Sequence, residues 1–155
     1  MEFEKFGSHY VLRLDPGEEV KSTLLDFVSR EDVRGGYFVA FGGFSRVRLC
    51  YFDVDAKQFK SYDVDQQVEV VSLLGNVARA NGQPTIHMHA AVSDAQGDTS
   101  SGHVAEGTVR PTLEVFLTKF EGEIHREPDP ATGLELLALP CTMPGRRGKS
   151  ATRSA

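Results

Sequence analysis

Long hydrophobic runs are absent from this sequence of 155 residues. No apolar stretch approaches the roughly 20 residues that a membrane-spanning helix requires. The first residues also lack the basic-then-apolar layout of a signal peptide. We therefore expect no association with membranes and a cytoplasmic location.

Cysteine is scarce, and the two present, Cys50 and Cys141, do not form a Cys-x-x-Cys motif. This excludes the common cysteine-based zinc and redox motifs. Cys50 lies in an apolar run, which predicts a buried and unreactive thiol. A disulfide between the two cysteines is not expected in a reducing cytoplasm.

Positive charge is scarce outside the C-terminus. The net charge is −5, and residues 141–155 contain four basic and no acidic side chains, which leaves −9 on residues 1–140. Affinity for nucleic-acid phosphates comes from lysine and arginine, so an acidic body predicts weak binding. The candidates for a DNA contact are therefore Arg146, Arg147 and Lys149. We expect a single domain over residues 1–140 and a flexible basic tail over 141–155 that is dispensable for folding.

One segment has helical periodicity. Val20, Leu24, Phe27 and Val28 recur at the spacing of one helix face. Proline and two acidic residues precede them, as is typical of a helix N-terminus. The sequence predicts a helix over Glu18–Arg30.

The rest of the chain up to residue 140 has the alternation and turn residues of β-structure. We expect turns at Gly42-Gly43 and Asn81-Gly82 and a strand corner at Arg110-Pro111. The predicted strands are Ser8–Leu14, Tyr37–Phe41, Val47–Tyr51, Gln58–Val64, Val68–Val77, Thr85–Ser93, His103–Val109, Thr112–Phe120 and Leu134–Leu139. One helix and many strands predict an α+β fold, with a mostly antiparallel sheet flanked by one or two helices.

Three of the five histidines, His87, His89 and His103, lie within 17 residues. Residues two apart on a strand point to the same face, so the first two rings are expected side by side. Three neutral imidazoles with an open fourth position form a known zinc site. Imidazole suits zinc and other divalent transition metals, whereas Mg²⁺ prefers oxygen ligands. The pattern therefore predicts a metal site with zinc as the first choice, and the alternative is a polar face or interface without an ion.

The place of His103 depends on the hairpin before it. With a five-residue loop at Asp94–Asp98, His89 lies opposite His103 and all three rings share a face. With a loop of only Gln96-Gly97, the third ligand is lost unless a bulge at Gly102 corrects the register. The sequence leaves both registers open.

Two carboxylates near these histidines are further candidates. Glu106 and Glu114 could each serve as a fourth metal ligand or as a general base. The alternative for each is a solvated carboxylate on a strand. His9 and His125 have no such neighbours in sequence and are expected at the surface.

Several short segments resemble the plants-and-prokaryotes conserved (PPC) domain family over residues 8–121. In order along the chain, these segments are Pro16-Gly17-Glu18-Glu19-Val20, Ala40-Phe41-Gly42-Gly43-Phe44-Ser45, Glu69-Val70-Val71-Ser72-Leu73-Leu74-Gly75-Asn76, His87-Met88-His89-Ala90, Gly102-His103-Val104 and Gly107-Thr108-Val109. The resemblance implies a sheet flanked by helices, a homotrimer and a candidate role in DNA binding. The AT-hook core Arg-Gly-Arg-Pro, found beside this domain in plant proteins, does not occur in this sequence.

Two classes of function follow. One is a trimeric binding or regulatory module with a three-histidine metal site, which contacts DNA through its basic tail. The alternative is a zinc-dependent enzyme, a hydrolase or lyase, that uses the same histidines. We favour the binding module because the sequence identifies neither a general base nor a substrate pocket.

Overall fold

The computed structural model describes residues 1–140. The predicted tail, with Arg146, Arg147 and Lys149, lies outside these residues. The described part contains one helix, α1 (Val20–Arg30). Its strands are β1 (Glu2–Phe6), β2 (His9–Leu14), β3 (Gly36–Asp53), β4 (Gln58–Val64), β5 (Val68–Ala80), β6 (Gln83–Ser93), β7 (Thr99–Lys119), β8 (His125–Pro128) and β9 (Glu135–Ala138).

The strands form one mixed sheet that is largely antiparallel. The single parallel pairing among the described strands joins β5 to β8 over two residue pairs. Strands β3, β5, β6 and β7 pair in a closed ring, because β3 pairs with β5, β5 with β6, β6 with β7 and β7 with β3. The predicted α+β fold is confirmed. No helix among residues 1–140 has the length and apolar character needed to cross a membrane.

The helix begins where a side chain satisfies its free backbone N–H groups. Glu19 accepts hydrogen bonds from the backbone N–H groups of Lys21, at 3.0 Å, and Ser22, at 2.7 Å. The predicted apolar face is buried, and the helix packs against β6 and β7. This cap places the first helical residue at Val20, two residues later than predicted.

The predicted turn at Gly42-Gly43 is wrong, because β3 continues through these residues. β7 likewise continues through Arg110-Pro111. The ladder between these strands shifts register on either side of Phe44, which is typical of β-bulges. A Cβ at Gly43 would overlap the backbone carbonyl of Arg110. Glycine at this position therefore permits the close approach of two long strands and does not mark a chain reversal.

The outer face of the sheet exposes large apolar side chains. Phe41 and Phe116 stack with ring centroids 6.0 Å apart, and both are largely exposed. Val39 lies between Leu74 and Phe116 in the ladders, so these residues share the same face. We call Tyr37, Val39, Phe41, Leu74 and Phe116 the outer apolar face.

Candidate metal centre

His87 and His89 lie on the outward face of β6. Their neighbours along the strand, Ile86 and Met88, are buried on the opposite face. This alternation is the reason that both rings point the same way. His89 is paired on both sides, with β5 and with β7, and His87 is paired with β5, so the position of both residues in the sheet is fixed.

The loop between β6 and β7 has five residues, and His89 lies directly opposite His103. The side chain of Asp94 closes the loop by accepting hydrogen bonds from the backbone N–H groups of Gln96, at 2.9 Å, and Asp98, at 3.0 Å. Aspartate is favoured in turns because it bonds its own backbone in this way. The register that brings three histidines together is therefore the one that the structure contains.

The three rings form a compact cluster. Their centroids are separated by 5.0 Å for His87 and His89, 5.0 Å for His87 and His103, and 5.5 Å for His89 and His103. One ligand nitrogen from each ring lies within 4.8 Å of the others. The Nε2 atoms of His87 and His89 are 3.2 Å apart. A tetrahedral zinc ion with Zn–N bonds of about 2.0–2.1 Å separates its ligand nitrogens by about 3.3 Å.

Burial keeps two of these rings neutral. Burial first, and then the positive charges that His87 and His89 would carry, lower the pKa of His103 to about 4. Burial and then the nearby charge of Arg126 lower the pKa of His87. A neutral imidazole retains the lone pair that binds a metal, so the local environment prepares these nitrogens as ligands.

Gly102 allows β7 to lie close to β3 beside the cluster. A Cβ at this position would be 2.7 Å from the backbone carbonyl oxygen of Cys50. Cys50 is buried, as predicted, and lies opposite His103 in the ladder. The hydroxyl of Tyr62 donates a 2.6 Å hydrogen bond to the carbonyl of Ser101 and further fixes this stretch of β7.

An open pocket of about 600 Å³ adjoins the histidines. Phe52 and Phe59 form part of its wall with ring centroids 4.9 Å apart, and Phe59 also contacts His103 at 5.4 Å. The β8–β9 hairpin contributes Arg126, Leu134, Glu135 and Leu136. The pocket is thus mainly apolar and aromatic, and the histidines, Arg126 and Glu135 are its titratable polar groups.

Arg126 is a pocket residue that the sequence patterns do not indicate. It lies 23 residues after His103 in a segment without a motif. The parallel pairing of β8 with β5 carries it to the histidines, and such a long-range contact leaves no local signal.

The two candidate carboxylates are placed elsewhere on the sheet. Glu106 accepts a 3.3 Å hydrogen bond from Arg48. Glu114 lies between Arg13 and Phe41 in the ladders. Among residues 1–140, the group of side chains close enough to hold a metal consists of the three histidines alone.

The other two histidines lie outside this group. The Nδ1 of His9 is hydrogen-bonded to the hydroxyl of Thr118 at 3.0 Å, and the Nε2 of His125 lies 3.3 Å from the carboxylate of Glu123. Both side chains are exposed.

The donor set fits a divalent transition metal. Three imidazole nitrogens without a carboxylate suit zinc, and hard ions that prefer oxygen fit this set poorly. The three histidines also line the pocket, which would leave room for water or a small ligand beside a bound ion.

The fold and the site together define the class of protein. It is an α+β domain with a closed ring of strands and three clustered histidines. The model of the Plants and Prokaryotes Conserved (PCC) domain matches residues 1–121, and the chain belongs to this family. The pocket wall formed by β8 and β9 lies beyond the matched segment.

Two solved structures with this fold come from a bacterium and an archaeon. A protein of Ralstonia eutropha JMP134, described as a candidate DNA-binding protein, is 27% identical with a TM-score of 0.83 and covers 89% of this chain and 96% of its own. A metal-containing protein of Archaeoglobus fulgidus is 27% identical with a TM-score of 0.81 and covers 90% of this chain and 99% of its own.

A curated relative is much longer than this chain. The bifunctional protein GlmU of Synechococcus sp. (strain JA-3-3Ab) is 35% identical over 131 residues, which are 82% of this chain. The chain spans 20% of the length of that relative.

Proposed function

We propose that this chain is a metal-binding PCC-domain module in which His87, His89 and His103 hold one divalent ion, with zinc as the first choice. The observation that carries the proposal is the convergence of three ring nitrogens within 4.8 Å. The metal-containing relative from Archaeoglobus fulgidus supports it. The bound ion would supply a Lewis-acidic position facing the pocket.

The test is zinc binding by His89→Ala. This side chain is exposed, so its truncation removes a ligand with little effect on the core. Purified wild-type protein is expected to bind one zinc per chain, and the variant to bind it at least about 10-fold more weakly, as a metal site does when it loses a ligand. His9→Ala is the matched control, because His9 lies outside the cluster. Negligible zinc binding by the wild type, or equal binding by the two variants, would refute the site.

The second role that we propose is DNA binding, and it is supported by the description of the Ralstonia relative. The net charge of −9 on residues 1–140 favours contact through Arg146, Arg147 and Lys149. We expect a salt-sensitive shift in DNA mobility that is lost when residues 141–155 are deleted. A shift that survives the deletion would assign the contact to the acidic body, and no shift at low salt would exclude the role.

The zinc-dependent enzyme, a hydrolase or lyase, remains the alternative function. The pocket beside the open metal position favours it. Glu106 is poorly suited to act as the general base of such an enzyme, because its carboxylate accepts a hydrogen bond from Arg48. Turnover that depends on zinc and disappears in His89→Ala would establish the enzyme.

We also propose a homotrimer in the cytoplasm. The outer apolar face supports self-association, because contiguous apolar surface of this kind marks interfaces. The cytoplasmic location remains a prediction from the sequence.

A further inference from the structure

We propose that the pocket beside the histidines binds a small organic carboxylate with an apolar or aromatic body. This inference rests on the proposed metal site, because the carboxylate would be held between the ion and Arg126. The apolar body would lie against the aromatic and leucine side chains of the pocket wall.

Arg126 is fixed at the pocket and retains unused donors. Its Nη1 donates to the carbonyl of Glu135 at 2.7 Å, and its Nη2 donates to Oδ1 of Asn76 at 2.9 Å. Asn76 lies directly opposite His87 in the β5–β6 ladder, so the guanidinium is anchored next to a metal ligand. Guanidinium carries five N–H donors, and the buried Nε has no acceptor. The Nε has almost no exposed surface, but Nη1 and Nη2 each keep a second N–H for a ligand that brings acceptor oxygens.

The charges that face the pocket favour an anion. The two positive charges that a bound divalent ion would bring and the one of Arg126 would outweigh the single negative charge of Glu135. Glu135 is exposed to solvent, which weakens its effect on the interior of the pocket. A planar carboxylate matches both partners, because it can bind a metal with one oxygen and arginine with the other.

The wall of the pocket determines the rest of the ligand. Phe52 and Phe59 present aromatic surface beside His103, and Leu134 and Leu136 add apolar surface to the lining. Pockets of about 300–1,000 Å³ with mainly apolar linings are typical of small-molecule sites. A volume of about 600 Å³ exceeds what a hydrated ion or acetate would fill. An apolar body is favoured over a sugar phosphate, because the Phe52, Phe59, Leu134 and Leu136 side chains offer no hydrogen-bond partners to sugar hydroxyl groups.

The experiment is calorimetric titration of the zinc-loaded full chain with phenylacetate. Phenylacetamide has the same shape without the charge, and acetate has the charge without the apolar body. We expect phenylacetate to bind at least about 10-fold more tightly than either, since charge-assisted hydrogen bonds and ring burial each contribute that much.

Arg126→Gln separates the role of the arginine from that of the metal. We expect it to weaken phenylacetate binding at least about 10-fold, to leave phenylacetamide binding nearly unchanged and to leave zinc binding no weaker. Arg34→Gln is the matched control, because Arg34 bonds Asp32 outside the pocket and should change neither affinity. If Arg126→Gln does not fold, Phe59→Ala offers a second test. Phe59→Ala should weaken phenylacetate binding and leave acetate binding unchanged.

The outcomes distinguish this inference from the proposed function. If zinc binds but phenylacetate binds no better than phenylacetamide, or binds equally well to Arg126→Gln, the carboxylate site is refuted and the metal site stands. If zinc itself does not bind, the proposed metal site fails and this inference fails with it.

Discussion

Gly102 directly precedes His103 and lies against the backbone of β3, where a Cβ would be 2.7 Å from the carbonyl oxygen of Cys50. The obstacle is backbone within a paired strand, so it cannot move aside as a flexible side chain would. The position of the third histidine thus depends on a residue without a side chain.

We predict that Gly102→Ala lowers the free energy of unfolding by about 1–3 kcal/mol, because the two strands must separate locally. Zinc affinity should also fall, since His103 moves with β7. Urea denaturation and zinc titration measure the two effects. Gly122→Ala is the matched control, because a Cβ there meets nothing within 4 Å. Equal stability of the two variants would show that the strand contact tolerates a methyl group.

At this scale the sequence predicts the histidine cluster but not the arginine. Strand alternation is a local rule, so His87 and His89 are found from their spacing alone. Arg126 reaches the pocket through a two-residue parallel pairing of β5 with β8. No local pattern encodes that pairing.

At the scale of elements, α1 is tied to the sheet through its cap. Glu19 accepts hydrogen bonds from the N–H groups of Lys21 and Ser22 and also, at 3.3 Å, from that of Gly107 on β7. Burial opposes ionisation of Glu19, but these hydrogen bonds outweigh it and lower the pKa of the carboxyl. The ionised side chain therefore stabilises the folded state.

We predict that Glu19→Gln destabilises the protein by about 1 kcal/mol at pH 7, a typical value for loss of a helix cap. Because the folded-state pKa is lowered, the contribution is fully present above the unfolded value of about 4.5 and is lost as the pH falls through the folded value. Denaturation at pH 7 and at pH 3 should show the difference between wild type and variant shrinking. Asp26→Asn, on the exposed helix face, should show no comparable loss. If the stability difference between wild type and Glu19→Gln did not depend on pH, stabilisation by the ionised Glu19 carboxylate would be contradicted.

The elements also show where prediction from sequence reaches its limit. Asn81-Gly82 is a turn, as predicted, and both residues have positive φ. Gly42-Gly43 is not a turn, because pairing on both sides of β3 overrides the local preference. β1 was not predicted, since all of its residues are exposed and it lacks the alternation that identifies a strand. The loop length before His103 could not be predicted because it depends on how Asp94 bonds its own backbone.

At the scale of the whole molecule, the outer apolar face is the main surface still to be explained. Leu74 is 57% exposed, and it lies opposite His89 in the β5–β6 ladder. A subunit covering this face would therefore lie next to the metal site. The proposed trimer would remove this apolar area from water.

We predict that light scattering of the wild type gives about three times the chain mass of 17.0 kDa. Leu74→Asp should shift the mass towards one chain, because burying an unpaired carboxylate in an interface is costly. Val54→Asp is the control, since Val54 is 60% exposed but outside the outer apolar face. A monomeric wild type, or a trimer that tolerates Leu74→Asp, would exclude this face as the interface.

The origin of the pocket wall has a consequence for how such proteins can diversify. The three histidines lie within residues 1–121, which match the family model, whereas the β8–β9 hairpin follows that segment. The hairpin can acquire substitutions, change length or be exchanged without altering the strand register that sets the spacing of the histidines. If the proposed metal site and ligand pocket both operate, ligand choice could therefore evolve separately from metal binding, and chains with the same three histidines could recognise different small molecules.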